Sequence, residues 1–390
     1  MSPDAIQMDS SITDEAYQDH ILPAVSRTFA LTIPELPPAL RTSVTNAYLL
    51  CRIADTIEDE PALSPSASLH FLQRFVAVLY GNEPAAVLAR DLVPQLSDQT
   101  LQAEHDLVAN MERVVRVTNR LDGQQRIAIQ RCVEVMAGGM HQFQQTASVR
   151  GVPHLTDLDD YCYYVAGVVG QMLTELFCGY SAKIATQHAR LHELDVSFAQ
   201  GLQMTNILKD VWEDRGRGAC WLPQEVFSRH GIDLGQLTPG RADARFDAAM
   251  RELVAVAHAH LRDALSFTLL IPGEEAGIRR FCLWAIGLAI LTLRKIAGTP
   301  GFTSGRQVKV PRSAVAVTRI STNMVVRNNW MLRRLFDFAA AGVPLAPAGT
   351  VRRAARPGLH VAPPAPEYSH AARAIPLERG ARRSEGRSAL

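Results

Sequence analysis

The chain has six cysteines, at positions 51, 132, 162, 178, 220 and 282, and no two of them form a Cys-x-x-Cys pair. That spacing excludes the common zinc ribbons and leaves the thiols as small buried hydrophobes of a reducing compartment. The twelve histidines include no His-Glu-x-x-His, which removes the helical zinc site of metalloproteases. An excess of one charge is also lacking, since 40 basic and 39 acidic residues leave a net charge of +1. No global field therefore draws the chain to nucleic acid. The opening MSPDAIQMDS has neither the basic start nor the apolar run of a secretory signal. The longest apolar run, FCLWAIGLAILTL at 281–293, sits between Arg279-Arg280 and Arg294-Lys295. It is shorter than the roughly 20 residues a bilayer span requires. It reads as a buried helix of a soluble, cytoplasmic protein. Strand signals are scarce, and no GxGxxG turn follows one.

What the chain does have is helical periodicity, nearly unbroken from about residue 39 to 342. The pattern predicts helices at 39–59, 65–80, 84–95, 100–118, 123–147, 157–185, 189–213, 241–269, 275–297 and 313–341, punctuated by proline and glycine. With 47% hydrophobic residues, this predicts an all-α domain over 1–342, larger than a four-helix bundle and without the fixed period of a solenoid. From 343 to 390 the composition turns to Pro, Ala and Arg, which predicts a disordered, net-basic tail. Such a tail suits peripheral contact with anionic lipid headgroups. Nothing in the sequence requires more than a monomer.

Two acidic segments stand out, RIADTIEDE at 52–60 and NILKDVWEDR at 206–215. On a helix, Tyr48, Arg52, Asp55 and Asp59 fall on one stripe, and so do Gln203, Asn206, Asp210 and Asp214. A lone Asp-x-x-x-Asp is usually an ordinary solvated face. These two have largely apolar flanks, so the stripes are expected to line an interior cleft. Carboxylates crowded in a low dielectric repel one another and call for a cation. A hard divalent ion with oxygen ligands answers that need, and Mg²⁺ binds through carboxylates, waters and substrate phosphates. Such a pair of helices can clamp a diphosphate and promote ionisation of an allylic carbon–oxygen bond. A di-iron site would need Glu-x-x-His, which neither stripe contains. Basic residues should grip the remaining phosphate oxygens. The candidates are Arg52, Lys209, and Arg27 beside Ser26 in SRTFAL.

SRTFAL, YLLCRIADTIEDE, YCYYVAGVVGQMLTELF and LQMTNILKDVWEDRGRGACWLPQEVF together resemble the squalene/phytoene synthase family. The resemblance runs from about residue 20 to 320 and leans to the squalene synthase branch. It implies the all-α isoprenoid-synthase fold with a central cavity. It also implies head-to-head joining of two farnesyl diphosphates through presqualene diphosphate, then NADPH-dependent reduction to squalene. An enzyme of the same fold that omits reduction would give presqualene diphosphate, dehydrosqualene or phytoene. Carried over, the family pattern assigns Mg²⁺, with Mn²⁺ as a substitute, to Asp55, Asp59, Asp210 and Asp214, assisted by Glu58, Glu213 and Asn206. Tyr161 would assist proton transfer. Tyr48, Asn206, Lys309 and Arg312 would lie on the cofactor side. Three departures stand out: Gly218-Ala219 where the family often has Gly-Arg, Ala285-Ile286 in place of Pro-Gln, and Pro311 after Lys309. Arg215 or Arg217 could replace the displaced arginine. The chain is also read as lacking the C-terminal membrane anchor of animal and fungal members. A catalytically dead relative would not need its metal ligands, yet all four aspartates and Asn206 are present.

A pocket for two C15 chains should be apolar and sealed against water. Tyr161, Val165, Val168 and Met172 share a predicted stripe, with Gly167 and Gly170 beside it. Phe29, Tyr48 and Phe281 could face a carbocation with their rings. The plainer explanation of the glycines is close helix packing. His141, His188 and His192 read as structural or surface residues.

Overall fold

A computed structural model describes residues 12–26, 28–240, 243–299 and 301–347. Arg27 and nearly all of the expected tail lie outside the described residues. Twelve helices frame the site: α1 (Asp14–Val25), α2 (Pro38–Asp59), α3 (Pro65–Leu79), α4 (Gly123–Gln144), α5 (Leu155–Cys162), α6 (Val168–Tyr180), α7 (Asp195–Lys209), α8 (Val211–Gly216), α9 (Ala244–Leu270), α10 (Ala276–Gly298), α11 (Arg312–Val325) and α12 (Asn329–Ala339). Further helices, Met111–Arg120 among them, fill the gaps. Among the described residues there is no strand, only an isolated bridge between Val152 and Pro223.

The helix starts follow capping chemistry. The side chains of Thr13, Ser64, Asp122, Asp243 and Asn328 accept hydrogen bonds from first-turn backbone N–H groups of α1, α3, α4, α9 and α12. Proline occupies the first turn of α2 and α3, where its missing N–H costs nothing. Helix α2 buries Leu40, Val44, Ala47, Leu50, Ile53 and Ile57, three or four residues apart. At the centre, α7 lies along α9, α9 packs on α10, and α6 is held between α4 and α7. Gly170 shows how tight this is. A Cβ there would stand 2.1 Å from the Asp195 carbonyl oxygen at the start of α7. At this position the close-packing explanation of the small residues holds.

Several polar groups inside the bundle are tied to one another. Between α7 and α9, the Ser197 hydroxyl donates to Asp263 Oδ2 at 3.1 Å and lies 2.8 Å from His260 Nδ1. Arg279 is buried, and among the described residues no carboxylate comes within ion-pair distance of it. It donates to the carbonyls of Ile271 and Val326, each at 2.8 Å, and to Asn329 Oδ1 at 2.7 Å. One guanidinium thereby pins both terminal helices to the end of α9. Helix α10 is long and apolar enough to cross a membrane, but 67% of its apolar window is buried in the bundle.

Several sequence boundaries need correction. Helix α1 precedes the predicted start at 39, and its short apolar face (Tyr17, Ile21, Leu22, Val25) gave a weak periodic signal. The predicted 157–185 helix contains a π-helical turn at Tyr163–Gly167 and ends at Tyr180. The predicted 189–213 helix divides into His188–His192, α7 and α8, and 313–341 divides into α11 and α12. The 100–118 segment breaks at Asn110 into Gln102–Ala109 and Met111–Arg120.

Candidate active site

The first acidic stripe occupies the last two turns of α2. Asp55 is recessed but open, with 33% of its side chain accessible. Desolvation raises its pKa to about 6; Arg52 opposes the rise, and Asp59 and Glu104 add to it. Glu58 is pushed well up by burial, with Asp59 and Asp55 contributing. Glu60, one residue beyond the helix, behaves differently. Its carboxylate accepts from the N–H groups of Ala62 and Ser97 and from the Thr100 hydroxyl. These bonds hold it low against desolvation. Of four neighbouring carboxyls, one is structural and three remain available for a ligand.

A line of polar and aromatic side chains leads into this stripe. Arg52 Nη2 donates to Tyr48 Oη at 3.0 Å, and Tyr48 Oη donates to the Val25 carbonyl. The Phe29 and Tyr48 rings are 5.2 Å apart. The Ser26 hydroxyl accepts from the Phe29 N–H. Arg52 lies 3.6 Å from Asp55 and 3.8 Å from Glu104. Ser26, Phe29, Tyr48, Arg52 and Asp55 are thus brought together. Glu104 joins them without any sequence signal.

The second stripe lies across a break in the helix. Asp210 has φ −98° and ψ 15° and separates α7 from α8. The predicted single helix is corrected by this one residue. The 3, 4, 4 alignment survives because Asp210 N–H still bonds Asn206 O and Asp214 N–H bonds Asp210 O. Lys209 Nζ reaches Asp210 Oδ2 at 2.6 Å. Glu213 accepts from the Gly305 N–H at 2.9 Å. Gly305 packs closely there, since a Cβ would stand 2.8 Å from Asp210 Oδ1 and 3.0 Å from the Lys209 carbonyl oxygen. The loop 301–311 therefore lies directly against the second stripe.

The two stripes meet at Arg217. Its guanidinium lies 2.7 Å from Asp214 Oδ1 and 3.9 Å from Asp59 Oδ1. Burial raises the Asp214 pKa, and Arg217 opposes that rise. Arg215, the other candidate for the displaced arginine, is engaged elsewhere and donates to the carbonyls of Val149 and Leu237. Tyr161 faces the same seam. Burial pushes its phenol well up, and Glu58, Asp59 and Asp214 add to the effect. Its ring stacks on Trp221 at 3.8 Å and 7°, with Phe143 edge-on at 5.4 Å. The bridge at Val152 and Pro223 fixes the loop that carries Trp221, through Val152 N–H to Leu222 O and Gln224 N–H to Val152 O.

The squalene/phytoene synthase family model matches residues 22–314. The chain belongs to the squalene/phytoene synthase family. A squalene synthase of Candida albicans is 30% identical over 299 residues, covering 73% of this chain and 62% of the relative. One from Saccharomyces cerevisiae is 29% identical, covering 70% and 59%. This chain thus spans somewhat under two thirds of the length of these relatives. A solved complex of TcSQS with the ligand E5700 matches with TM-score 0.64 at 23% identity, over 84% of this chain and 97% of the other. That likeness shows the shared isoprenoid-synthase helical fold.

In this family member the other predicted residues are placed less uniformly. Asn206 is exposed and Gln203 half-buried, both on the last turns of α7. Phe281 is buried in the core, edge-on to Phe177 at 6.2 Å. Gly167 ends the π turn, where a Cβ would touch Tyr163 and Val196. Val165 is half-buried in the same turn. Lys309 and Arg312 are exposed on the loop beyond Gly305 and at the start of α11. Two small surface clefts, one beside Phe246 and Phe302 and one beside Trp284 and Thr318, lie elsewhere and include none of the four aspartates. Among the described residues, no three His, Cys, Asp or Glu side chains gather tightly enough to cage a metal unaided. The donor set still fits Mg²⁺. It consists of carboxylate oxygens from two helices, with coordination left for waters and phosphate, and a guanidinium already compensates charge between them.

Proposed function

We propose that this chain is a prenyltransferase that joins two farnesyl diphosphates head to head through presqualene diphosphate and, with NADPH, yields squalene. The carrying observation is that one guanidinium hydrogen-bonds Asp214 at 2.7 Å and stands 3.9 Å from Asp59. Aspartates about 150 residues apart in sequence thereby face one cation across a single seam. In this reading Asp55, Asp59, Asp210 and Asp214 hold Mg²⁺, or Mn²⁺ in its place, with Glu58, Glu213 and Asn206 beside them. Bound there, the metal neutralises the diphosphate and withdraws electrons from it, which makes it a better leaving group.

The chain's own groups do the rest. Arg52, Lys209 and Arg217 bind phosphate oxygens by charge-assisted hydrogen bonds. The Tyr161 phenol stays protonated at neutral pH, as burial dictates. It holds that proton at Oη between the two stripes, poised to pass a proton between substrate carbon and departing diphosphate. Trp221 and Phe143 close around its ring and keep water from the reacting carbon. The exposed Lys309 and Arg312 suit the phosphates of a nicotinamide dinucleotide, which supplies hydride when bound. Incubating the purified protein with farnesyl diphosphate and Mg²⁺, with and without NADPH, tests the reading. Squalene formed only with NADPH is expected. Presqualene diphosphate or dehydrosqualene accumulating in both reactions would reject the reductive step, and no diphosphate release would reject the whole.

A further inference from the structure

Seven of the thirteen large apolar side chains left exposed among the described residues fall between Val317 and Leu345, so this exposure is concentrated rather than scattered. Helix α11 is inside out. Its buried residue is Thr322, while Val317, Ile320 and Met324, spaced three and four apart, face outward. Helix α12 buries Leu332 and Phe336 and presents Trp330, Met331 and Phe338. Val317, Ile320, Met324, Trp330 and Phe338 are each 62–81% exposed.

This exposure is built in. Arg279 clamps the junction of the two helices through Val326 O and Asn329 Oδ1. Thr318 packs on Gly287 of α10 so closely that a Cβ there would meet its methyl at 2.6 Å. Rotating α11 to bury its apolar stripe would break both arrangements. The charge is one-sided as well. Residues 312–339 carry Arg312, Arg319, Arg327, Arg333 and Arg334 against a single carboxylate, Asp337. Asp337 already faces Arg262 at 3.9 Å. Arg334 lies over the exposed Trp330 ring at 5.4 Å, so an amphipathic aromatic and a cation share one place on the surface. An apolar stripe flanked by arginines with almost no acid fits the boundary between acyl chains and anionic headgroups, where side chains of this type enter by about 5–10 Å. A protein partner would have to offer a similarly one-sided acidic rim.

We propose that α11 and α12 dock this protein in the plane of an anionic lipid surface. Val317, Ile320, Met324, Trp330 and Phe338 enter the acyl boundary, and Arg319, Arg327, Arg333 and Arg334 meet the headgroups. The surface lies within the described helices, distinct from the basic tail to which the sequence pattern assigned lipid contact.

Co-sedimentation of the full chain with vesicles tests this, comparing phosphatidylcholine alone with phosphatidylcholine plus phosphatidylglycerol. The wild type should pellet with the mixed vesicles, less so as salt rises. The Ile320→Asp/Met324→Asp variant should lower partitioning about tenfold or more, with an unchanged melting curve. Arg333→Glu/Arg334→Glu should abolish the preference for phosphatidylglycerol and carries the test if the first variant fails to fold. Unchanged binding in both variants would place the affinity in the tail and overturn the proposal. So would absence of vesicle binding by the wild type, or a stable dimer that the same substitutions dissociate.

Discussion

Asp55 and Glu60 stand five residues apart, yet their surroundings give them opposite fates. Glu60 is spent on three donors, while Asp55 is raised to about 6 by desolvation and available for a ligand. Asp55→Asn and Asp210→Asn should each lower kcat/KM for diphosphate release by about 100-fold or more, because charge complementarity at the leaving group is lost. The melting temperature of Asp55→Asn should not fall, since desolvation and the neighbouring Asp59 and Glu104 already disfavour the charge of Asp55. Tyr161→Phe keeps the stack on Trp221 and removes only the hydroxyl. Its kcat should fall by roughly 10²–10⁴, the range for a positioned proton-transfer group, with circular dichroism unchanged. At this scale the two aspartate pairs were legible because i, i+4 spacing in an apolar flank is a local property. Trp221, Phe143 and Glu104 were not, because each reaches the site through a loop or a neighbouring helix that local spacing does not encode. The choice between Arg215 and Arg217 likewise needed the path of the chain after α8.

At the scale of the element, the helices between 38 and 298 were legible from period and punctuation, and their breaks were not. Asp210 interrupts a helix with no proline or glycine to mark it. The π turn at 163–167 leaves the apolar pattern looking continuous. Helix α1 was missed because five buried positions over three turns give little periodicity. Glycines are ambiguous in sequence and decided by packing. Gly170→Ala should destabilise the fold by about 1–3 kcal/mol through overpacking against the Asp195 carbonyl. Gly138→Ala, with nothing within 4 Å of the new methyl, should instead stabilise α4 by roughly 0.5–1 kcal/mol. Urea denaturation of the two variants side by side checks both signs.

For the whole molecule, the all-α architecture followed from composition and periodicity, and the family fold from the resemblance carried by the motifs. The face presented by α11 did not, because an outward apolar stripe and an inward one have the same sequence period. Acid stability belongs to this scale. Burial lowers the His260 pKa from 6.5 to about 4, so between those values the unfolded chain binds a proton that the folded chain refuses. Stability is therefore lost as pH falls from 6.5 toward 4. At pH 5 the loss from this residue is about 2 kcal/mol. Asp195, raised to about 6, acts in the opposite sense over part of that window. The clean readout is thus the difference between wild type and His260→Gln, which should narrow by about 2 kcal/mol between pH 7.5 and pH 5 in urea melts.

The turn at Tyr163–Gly167, closed by the Val168 N–H on the Tyr163 carbonyl, spools one residue more than an α-helical path would use. Losing a single residue there would let the chain close as a plain α-helix, with α5 and α6 held nearly in their present relation. Tyr161, on α5, would keep its place on Trp221, while Tyr163, Tyr164 and Val165 inside the turn would change the direction in which they point. In this stretch the surplus residue sets the aim of the turn's own side chains rather than the integrity of the fold.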